Sequence, residues 1–332
     1  MAKHDQKGVS LLVLVAMVVV AVLVQVKSVV AAGEYTDAMM KVVREQVNAV
    51  NLPGNDARPG LIRLMFHDCF VNGCDGSVLL ETSRMNGPNE KTEMTSGFNI
   101  GLRGFEVIQK IKEKLAGDKV TCTDAVIYAA REAVYLLSNG KIAYNVAGPG
   151  RMDSVISRSE DPGNQLPGTG PDFAVLVKKF TDKGVFTEKD VVALSGAHAV
   201  GVAHRTNAIG AVDPTADTPQ TYKTAVLQEM GTKDVVKNNV RDFNHPPPDY
   251  KVTMPAKGVL DNSFYGAVLQ KMALFPSDRV LGVNAVTKVR EYMNNAGTWN
   301  SDFGDAMEKL SKLAATTDPS KIEIRNVCSK TN

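Results

Sequence analysis

Residues 63–77 carry the sequence RLMFHDCFVNGCDGS, which places a cation, an imidazole, two carboxylates and two thiols within fifteen positions. Arg63 and His67 are four residues apart, so a helix puts them on one face, one turn from each other. Asp68 points to a different face, and Val71–Gly73 predicts the end of the helix. Polar groups beside so many large apolar side chains are unusual for a core helix. We therefore expect binding or catalysis at this stretch.

The whole chain has the composition of a large globular protein. It contains 332 residues, 44% of them hydrophobic, with 38 Lys and Arg against 36 Asp and Glu. This size fits one large domain or two lobes that share a core. The basic residues are scattered, without a block of five or more, so nucleic acid is not an expected partner.

The N-terminal segment has the pattern of a secretory signal peptide. Residues 11–26 read LLVLVAMVVVAVLVQV, and the small residues SVVAAG follow at 28–33. We expect residues 1–32 to be a signal peptide cleaved near Ala31 or Ala32, leaving a mature domain at 33–332. The alternative is a signal anchor, because the apolar run is nearly long enough to span a bilayer. After cleavage we expect no membrane association.

Four cysteines remain, at positions 69, 74, 122 and 328. Secretion makes disulfides the default state, and four cysteines allow three pairings. A Cys69–Cys74 bridge would clamp the loop after the first motif. A Cys122–Cys328 bridge would close a very long loop.

Hydrophobic periodicity predicts helices through most of the chain and very few strands. Asp172 and Thr187 are candidate N-caps. Residues 80–101, 140–171 and 206–255 are predicted to be irregular. The fold class that follows is all-α, with long connecting loops. The predicted helices are Tyr35–Val50, Leu61–Phe70, Arg103–Ala116, Thr121–Ser138, Asp172–Lys183, Thr187–Ser195, Asn262–Met272, Ala285–Asn295 and Thr298–Leu313.

A second group of interest is VVALSGAHAVGVAHR at residues 191–205. His198 lies near the C-terminus of an apolar helix, where a histidine often has a purely structural role because the helix dipole favours it. Small residues on both sides of His198 would let a bulky flat molecule approach the backbone. A carboxylate, Asp278, follows another helix further along the chain.

Together these motifs resemble the secretory haem peroxidases of plants, the class III peroxidases. Further matching segments occur in family order: LRGFEVI at 102–108, TCTDAV at 121–126, LDNSFY at 260–265 and EIRNVC at 323–328. The resemblance covers most of the mature chain. It implies the all-α haem-peroxidase fold, with about ten or more helices in two lobes and haem b between them.

The resemblance also implies roles at the haem. His198 would be the proximal iron ligand, and Asp278 would accept its other ring proton, which raises ligand basicity. On the distal side, His67 would be the general base for hydrogen peroxide, with Arg63 stabilising developing charge. The remaining two positions are Phe66, which would wall the pocket, and Asn99, which would accept a hydrogen bond from His67.

Oxygen donors in the first motif suit a calcium ion. The family uses these positions for a distal calcium, although Asp68 and Asp75 could instead only cap a turn. We expect one calcium ion, because a second site retains Asp261 alone, and Ala199 stands where a threonine usually follows the proximal histidine. The expected ligands of the distal ion are Asp68, Val71, Gly73, Asp75, Ser77 and Glu90.

The function implied is a secreted, monomeric peroxidase of the apoplast or cell wall. It would reduce hydrogen peroxide while oxidising small phenolic donors, in hydrogen peroxide catabolism and the response to oxidative stress. One alternative is a catalytically degenerate binding or structural wall protein, since the family usually has eight cysteines and this chain has four. A zinc site at His67, Asp68, Cys69 and Cys74 is a third possibility, although adjacent residues cannot easily point at one tetrahedral metal.

Overall fold

The structure is a computed structural model that describes residues 34–52, 55–87, 90–170, 172–203, 217–230, 240–241 and 258–332. The predicted signal peptide at 1–32 lies outside these residues. Among the described helices, none combines the length and the apolarity that crossing a bilayer requires.

Helices dominate the described chain, which confirms the all-α prediction. Three two-stranded antiparallel ladders supplement them: β1 (Asn51–Leu52) with β2 (Asn55–Asp56), β3 (Asp153–Ser154) with β6 (Ile322–Glu323), and β4 (Val202–Ala203) with β5 (Val240–Arg241). The helices are α1 Asp37–Asn48, α2 Arg58–Asn72, α3 Phe105–Lys114, α4 Cys122–Leu137, α5 Asp161–Gln165, α6 Phe173–Thr181, α7 Glu188–Ser195, α8 Gln220–Met230, α9 Ser263–Leu269, α10 Pro276–Arg279, α11 Leu281–Asn284, α12 Val286–Asn294 and α13 Ala296–Ser311.

Helix α2, which carries the first motif, is the centre of the fold. It packs against α4, α5 and α13, and it is buried on nearly all sides. The polar side chains of His67 and Asp68 are therefore inside the protein, at 8% and 0% exposure. Burial of such groups is costly unless they are hydrogen-bonded or bind a ligand, so the surroundings of both residues carry functional information.

Local sequence sets the limits of these helices. Asp172 accepts a hydrogen bond from the Val175 amide and caps α6, and Thr187 forms a capping box with Asp190 at the start of α7. Both predicted N-caps are confirmed. Helix α2 begins with Pro59 in its first turn, where a missing amide hydrogen does no harm, and it ends at Gly73, whose φ of 87° favours glycine.

Both disulfides join the pairs considered from the sequence. Cys69 is bonded to Cys74, and Cys122 at the start of α4 is bonded to Cys328, 206 residues later. On the chain-entropy model the long bridge contributes about 5 kcal/mol at most.

Two segments predicted to be irregular contain helices. Helix α5 lies within residues 140–171, and α8 lies within residues 206–255. Helix α5 is a five-residue turn that starts with an Asp-Pro pair, too short for hydrophobic periodicity to register. Most of the second segment lies outside the described residues.

A buried carboxylate ties α1 to α4. The Glu132 side chain is fully buried and accepts hydrogen bonds from the Arg44 Nε at 2.8 Å, from Arg131 and, at 3.4 Å, from the Tyr35 hydroxyl. The Tyr35 ring also stacks on Tyr128 with centroids 4.0 Å apart. These contacts hold the first described residues and α1 against α4.

We expect Glu132→Ala to lower the free energy of unfolding by about 3 kcal/mol, because it leaves two guanidinium groups without their buried carboxylate. Urea denaturation measures the change. Asp182→Ala serves as a matched control, since it removes the exposed partner of Lys178 and should cost less than about 1 kcal/mol. Equal losses in the two variants would show that the Glu132 contacts contribute no more than a surface pair.

Candidate active site

His67 is held in one defined tautomer by Asn99. The Asn99 Nδ2 donates to the Glu93 carbonyl at 2.8 Å, so the Asn99 Oδ1 is the atom that faces His67 Nδ1 at 2.7 Å. The His67 Nδ1 must therefore carry the proton and donate it, which leaves Nε2 as an acceptor. Burial, reinforced by the positive charge of Arg63, lowers the pKa of His67 to about 3. The imidazole is thus neutral near pH 7 and able to accept a proton.

Arg63 lies one turn before His67 and donates hydrogen bonds to the loop that carries Asn99. Its Nη1 donates to the Ile100 carbonyl at 3.1 Å, and its Nη2 donates to the Phe98 carbonyl at 3.0 Å. These two carbonyls flank Asn99, so the cation, the imidazole and the amide form one assembly. Burial, followed by repulsion from Arg103, lowers the pKa of Arg63 to about 10. The guanidinium remains a fixed positive charge at neutral pH.

The second histidine has a very different partner. His198 follows α7, and its Nδ1 lies 3.0 and 3.1 Å from the two carboxylate oxygens of Asp278. The Nδ1 must donate here, because a carboxylate only accepts. Burial alone would lower the pKa of His198, but the Asp278 charge raises it overall. In the neutral form of His198 the proton is on Nδ1, and Nε2 is the nitrogen that can bind a metal.

The end of α7 is supported by two buried side chains that the sequence analysis did not single out. The Tyr265 hydroxyl donates to the carbonyls of Val192 and Ala193 at 2.8 and 3.1 Å, and the Trp299 Nε1 donates to Ala193 at 3.2 Å. The last carbonyls of a helix need such donors. Gly196 is required because a Cβ there would lie 2.7 Å from the Trp299 Nε1. These contacts fix the turn that presents His198.

His198 is partly exposed and lies against two aromatic rings. Its side chain is 46% exposed, whereas its partner Asp278 is 2% exposed. The rings of Phe264 and Phe275 pack edge-on against it, with centroids 6.3 and 5.1 Å away. An imidazole whose Nδ1 donates to a buried carboxylate, beside two aromatic rings, fits the proximal ligand of a haem iron.

Comparison with known proteins decides the family. A family model described as Peroxidase matches residues 40–296. The chain belongs to the peroxidase family. Peroxidase P7 of Brassica rapa is 35% identical over 82% of this chain and 88% of its own length. Peroxidase 5 of Vitis vinifera is 33% identical over 82% of both chains, and the neutral peroxidase of Ipomoea batatas is 31% identical over 91% and 82%. The resemblance to plant class III peroxidases is therefore confirmed, and this chain is a peroxidase of the all-α haem-peroxidase fold.

The peroxidase also has a group of buried oxygens in the residues that follow His67. Asp68, Asp75, Ser77 and Glu93 are all buried. Among the described residues, the atoms Asp68 Oδ1, Ser77 Oγ and both Glu93 carboxylate oxygens have no hydrogen-bond partner. Burial raises the pKa of all three carboxyl groups, that of Asp75 to about 6. Buried oxygens without partners and carboxylates that repel one another fit a hard cation such as calcium.

Within the described residues, no three acidic, histidine or cysteine side chains converge as a ready-made metal site. The fit to calcium therefore depends on mixed donors: carboxylates, a hydroxyl and main-chain carbonyls. Of the two predicted carbonyl ligands, Val71 already accepts from the Lys183 Nζ at 3.1 Å. A carbonyl has two lone pairs, so this contact leaves one for an ion.

Glu90 does not belong to this group, which corrects the expectation from the sequence. Its side chain is exposed, and a carboxylate oxygen accepts from the Gly87 amide at 3.0 Å. Glu93, three residues later, is fully buried beside the charges of Asp75 and Asp68. Both residues are glutamates in one irregular loop, and only the course of the backbone distinguishes them.

The loop that carries these donors is braced by a distant part of the chain. Gly73 packs on the Ala314 backbone, where a Cβ would lie 2.1 Å from the carbonyl oxygen. The fully buried Arg325 donates from Nη2 to the Gly76 carbonyl at 2.7 Å, and its amide donates to Asp153 at 3.0 Å. With the Cys69–Cys74 disulfide, these contacts hold the loop after α2 in place.

The structure also describes Phe66, Asp261 and the residues of the zinc-site alternative. Phe66 is partly buried and stacks on Phe70 with centroids 4.8 Å apart, beside His67. Asp261 uses its Oδ1 to accept from the Ser263 amide at the start of α9. The zinc site is excluded, because Cys69 and Cys74 form a disulfide and offer no thiolate.

Proposed function

We propose that this peroxidase binds haem b through His198 and reduces hydrogen peroxide while oxidising small phenolic donors. The observation that carries the proposal is the contrast between its two histidines. Each donates Nδ1–H, but His67 donates to a neutral amide and His198 to a carboxylate. Environments that move the pKa values of two titratable groups in opposite directions suit those groups to different chemical roles.

The chain's own residues supply proton transfer and electrostatics. The His67 Nε2 would accept a proton from hydrogen peroxide and return it to the departing oxygen, which leaves as water. Arg63 would stabilise the negative charge that develops on the oxygens. Haem, when bound, supplies the redox chemistry. Two phenolic donors would each give one electron and one proton, so that one peroxide yields two waters and two phenoxyl radicals.

Secretion is part of the proposal. The predicted signal peptide at 1–32 and the two disulfides suit an oxidising compartment. We infer an extracellular monomer of the apoplast or cell wall that acts in hydrogen peroxide catabolism and the oxidative stress response.

The visible spectrum of haem-reconstituted protein tests the function directly. A Soret band that shifts on addition of one equivalent of peroxide is the expected result. Absence of a Soret band would overturn haem binding. A band that peroxide leaves unchanged would instead identify a degenerate protein with a binding or structural role.

A calcium ion among Asp68, Asp75, Ser77 and Glu93 is proposed to fix the end of α2. We expect calcium removal by EGTA to lower peroxidase activity far more than helix content, because α2 is held by its packing while the loop loses its ion. Circular dichroism and peroxidase assays on the same samples measure both. Equal loss of activity and helicity would contradict a local role.

Paired glutamate variants locate the ion. Glu93→Gln should weaken calcium binding at least about tenfold, as loss of a group around a metal does. Glu90→Gln is the matched control, because its exposed side chain accepts a hydrogen bond from the Gly87 amide in its own turn. Isothermal titration with calcium compares the two. A larger effect at Glu90 would show that the ion lies elsewhere.

A further inference from the structure

A series of aromatic rings leads away from His198 through the described part of the chain. The Phe264 ring packs edge-on against His198 with centroids 6.3 Å apart, and Tyr265, its neighbour in α9, follows with a centroid distance of 5.1 Å. Tyr292 of α12 lies a further 5.1 Å from Tyr265. Electron transfer between groups weakens steeply with distance, so short steps from ring to ring favour it. The series therefore connects the proposed iron ligand with a tyrosine on another helix.

The polar atoms of these rings have different partners. Phenylalanine has no ionisable group and is hard to oxidise, so Phe264 serves only as a bridge. The Tyr265 hydroxyl donates to two main-chain carbonyls, and Trp299, whose ring lies 6.1 Å from that of Tyr265, donates to one of the same two. An oxidised tyrosine or tryptophan is stabilised by releasing a proton, and a carbonyl is too weak a base to accept it. Neither residue therefore suits a lasting radical.

Tyr292 differs because its hydroxyl contacts a base. The hydroxyl donates to Asp302 Oδ2 at 2.8 Å, and Asp302 Oδ1 accepts from the Lys189 Nζ at 2.9 Å. Burial alone would raise the pKa of Asp302, but the hydrogen bonds from Lys189 and Tyr292 lower it overall, so the carboxylate is ionised at neutral pH. An oxidised phenol is a far stronger acid than a phenol, so an ionised carboxylate within hydrogen-bond reach is able to take its proton.

The Tyr292 ring is also shielded from water. Its exposure is 0%, whereas the side chain of Asp302 is 15% exposed. The Lys288 Nζ, on a partly exposed side chain, lies 5.4 Å from the Tyr292 ring centroid, so the ring is close to the surface. A radical on this ring would be protected from solvent, while its proton acceptor lies at the edge of the protein.

We propose that Tyr292 is a redox-active residue that stores one oxidising equivalent of peroxide when phenolic donors are scarce. The inference rests on the proposed function. The O–H bond of Tyr292 breaks: its electron passes through Tyr265 and Phe264 to the peroxide-oxidised haem, and its proton binds to the Asp302 carboxylate. The haem thereby regains one electron, and a neutral radical remains on Tyr292. A phenolic donor later supplies one electron and releases its own proton to water, while Asp302 returns the stored proton.

Electron paramagnetic resonance of the haem-loaded protein, frozen after mixing with one equivalent of peroxide and no donor, tests the proposal. The wild type should show a tyrosyl radical, identified by narrowing of its signal when ring-deuterated tyrosine is incorporated. Tyr292→Phe should lose this signal, because phenylalanine keeps the ring but has no O–H bond to break. A phenol added before freezing should remove the wild-type signal.

Two further variants test the route and the base. Asp302→Asn keeps an acceptor for the Tyr292 hydroxyl but removes the base, so it should lose most of the radical signal. Tyr35→Phe is the matched control. Tyr35 also donates to a carboxylate, that of Glu132 at 3.4 Å, but its ring stacks on Tyr128 rather than on the series described above. Tyr35→Phe should therefore keep the wild-type signal. In every variant the Soret band should still shift with peroxide, because the distal residues are unchanged.

Each contrary outcome is distinct. A wild type whose Soret band shifts with peroxide but which shows no tyrosyl signal would overturn the proposal and leave the haem function standing. A signal that persists in Tyr292→Phe would place the radical on another tyrosine, and an undiminished signal in Asp302→Asn would remove the base from the step. A signal that phenol leaves unchanged would contradict storage. If no Soret band forms, or peroxide leaves it unchanged, the proposed function itself fails.

Discussion

His67→Ala is expected to slow the reaction with hydrogen peroxide by about 10²–10⁴-fold, the usual contribution of a positioned general acid–base group. The Nε2 acceptor defined by the His67–Asn99 hydrogen bond of 2.7 Å disappears. Arg63 cannot act as a base, because its pKa stays near 10 despite its burial. Stopped-flow absorbance of the haem-loaded protein after mixing with peroxide measures the rate.

Two controls accompany this variant. Haem should stay bound with an unchanged affinity, because His67 is not the proposed iron ligand. Added imidazole should restore part of the rate by entering the space that the ring leaves. Loss of haem in His67→Ala would show that the distal and proximal assignments are reversed, and an unaltered rate would remove His67 from the mechanism.

His198→Ala is expected to lower haem affinity by more than 100-fold, beyond the range of about 10–100-fold that loss of a supporting group costs. Asp278→Asn should fall within that range, because the Nδ1 hydrogen bond at 3.0 Å weakens while the ligand atom remains. Asp278→Asn should also shift the Soret spectrum of the bound haem. Titration of the apoprotein with haem, followed by Trp299 fluorescence and absorbance, measures both variants.

His67→Ala serves as the matched histidine control for this experiment. It removes an imidazole of the same size from the other side of the site and should leave haem affinity unchanged. Equal haem affinities in His198→Ala and the wild type would place the iron ligand elsewhere. An Asp278→Asn protein with the wild-type spectrum would show that Asp278 has no electronic influence on the ligand.

Regular features of the fold were predictable because they depend on local chemistry. The side chains of Asp172 and Thr187 satisfy amides in the first turn of their own helices, so sequence alone located the starts of α6 and α7. Helix α2 extends from Arg58 to Asn72 instead of the predicted 61–70. Pro59 is tolerated in the first turn, and Gly73, with its positive φ, ends the helix. The sequence therefore predicts the helix but places its two ends two or three residues too far inside.

Features that depend on the path of an irregular loop were not predictable. Glu90 and Glu93 have the same side chain and lie in one loop, yet one is exposed and the other fully buried. The six-residue spacing between Glu93 and Asn99 is a signal that could distinguish Glu93 from Glu90, because the Glu93 carbonyl accepts a hydrogen bond from the Asn99 side-chain amide.

The brace on the loop after α2 has a consequence for biosynthesis. Arg325, which holds the Gly76 carbonyl, is synthesised 249 residues after it. At about 5–20 residues per second, the loop waits roughly 12–50 s for this contact. The nascent chain therefore contains His67 and the buried oxygens of Asp68, Asp75 and Ser77 long before Arg325 can brace their loop. The contact that braces this loop therefore forms only after almost all of the described chain has been made.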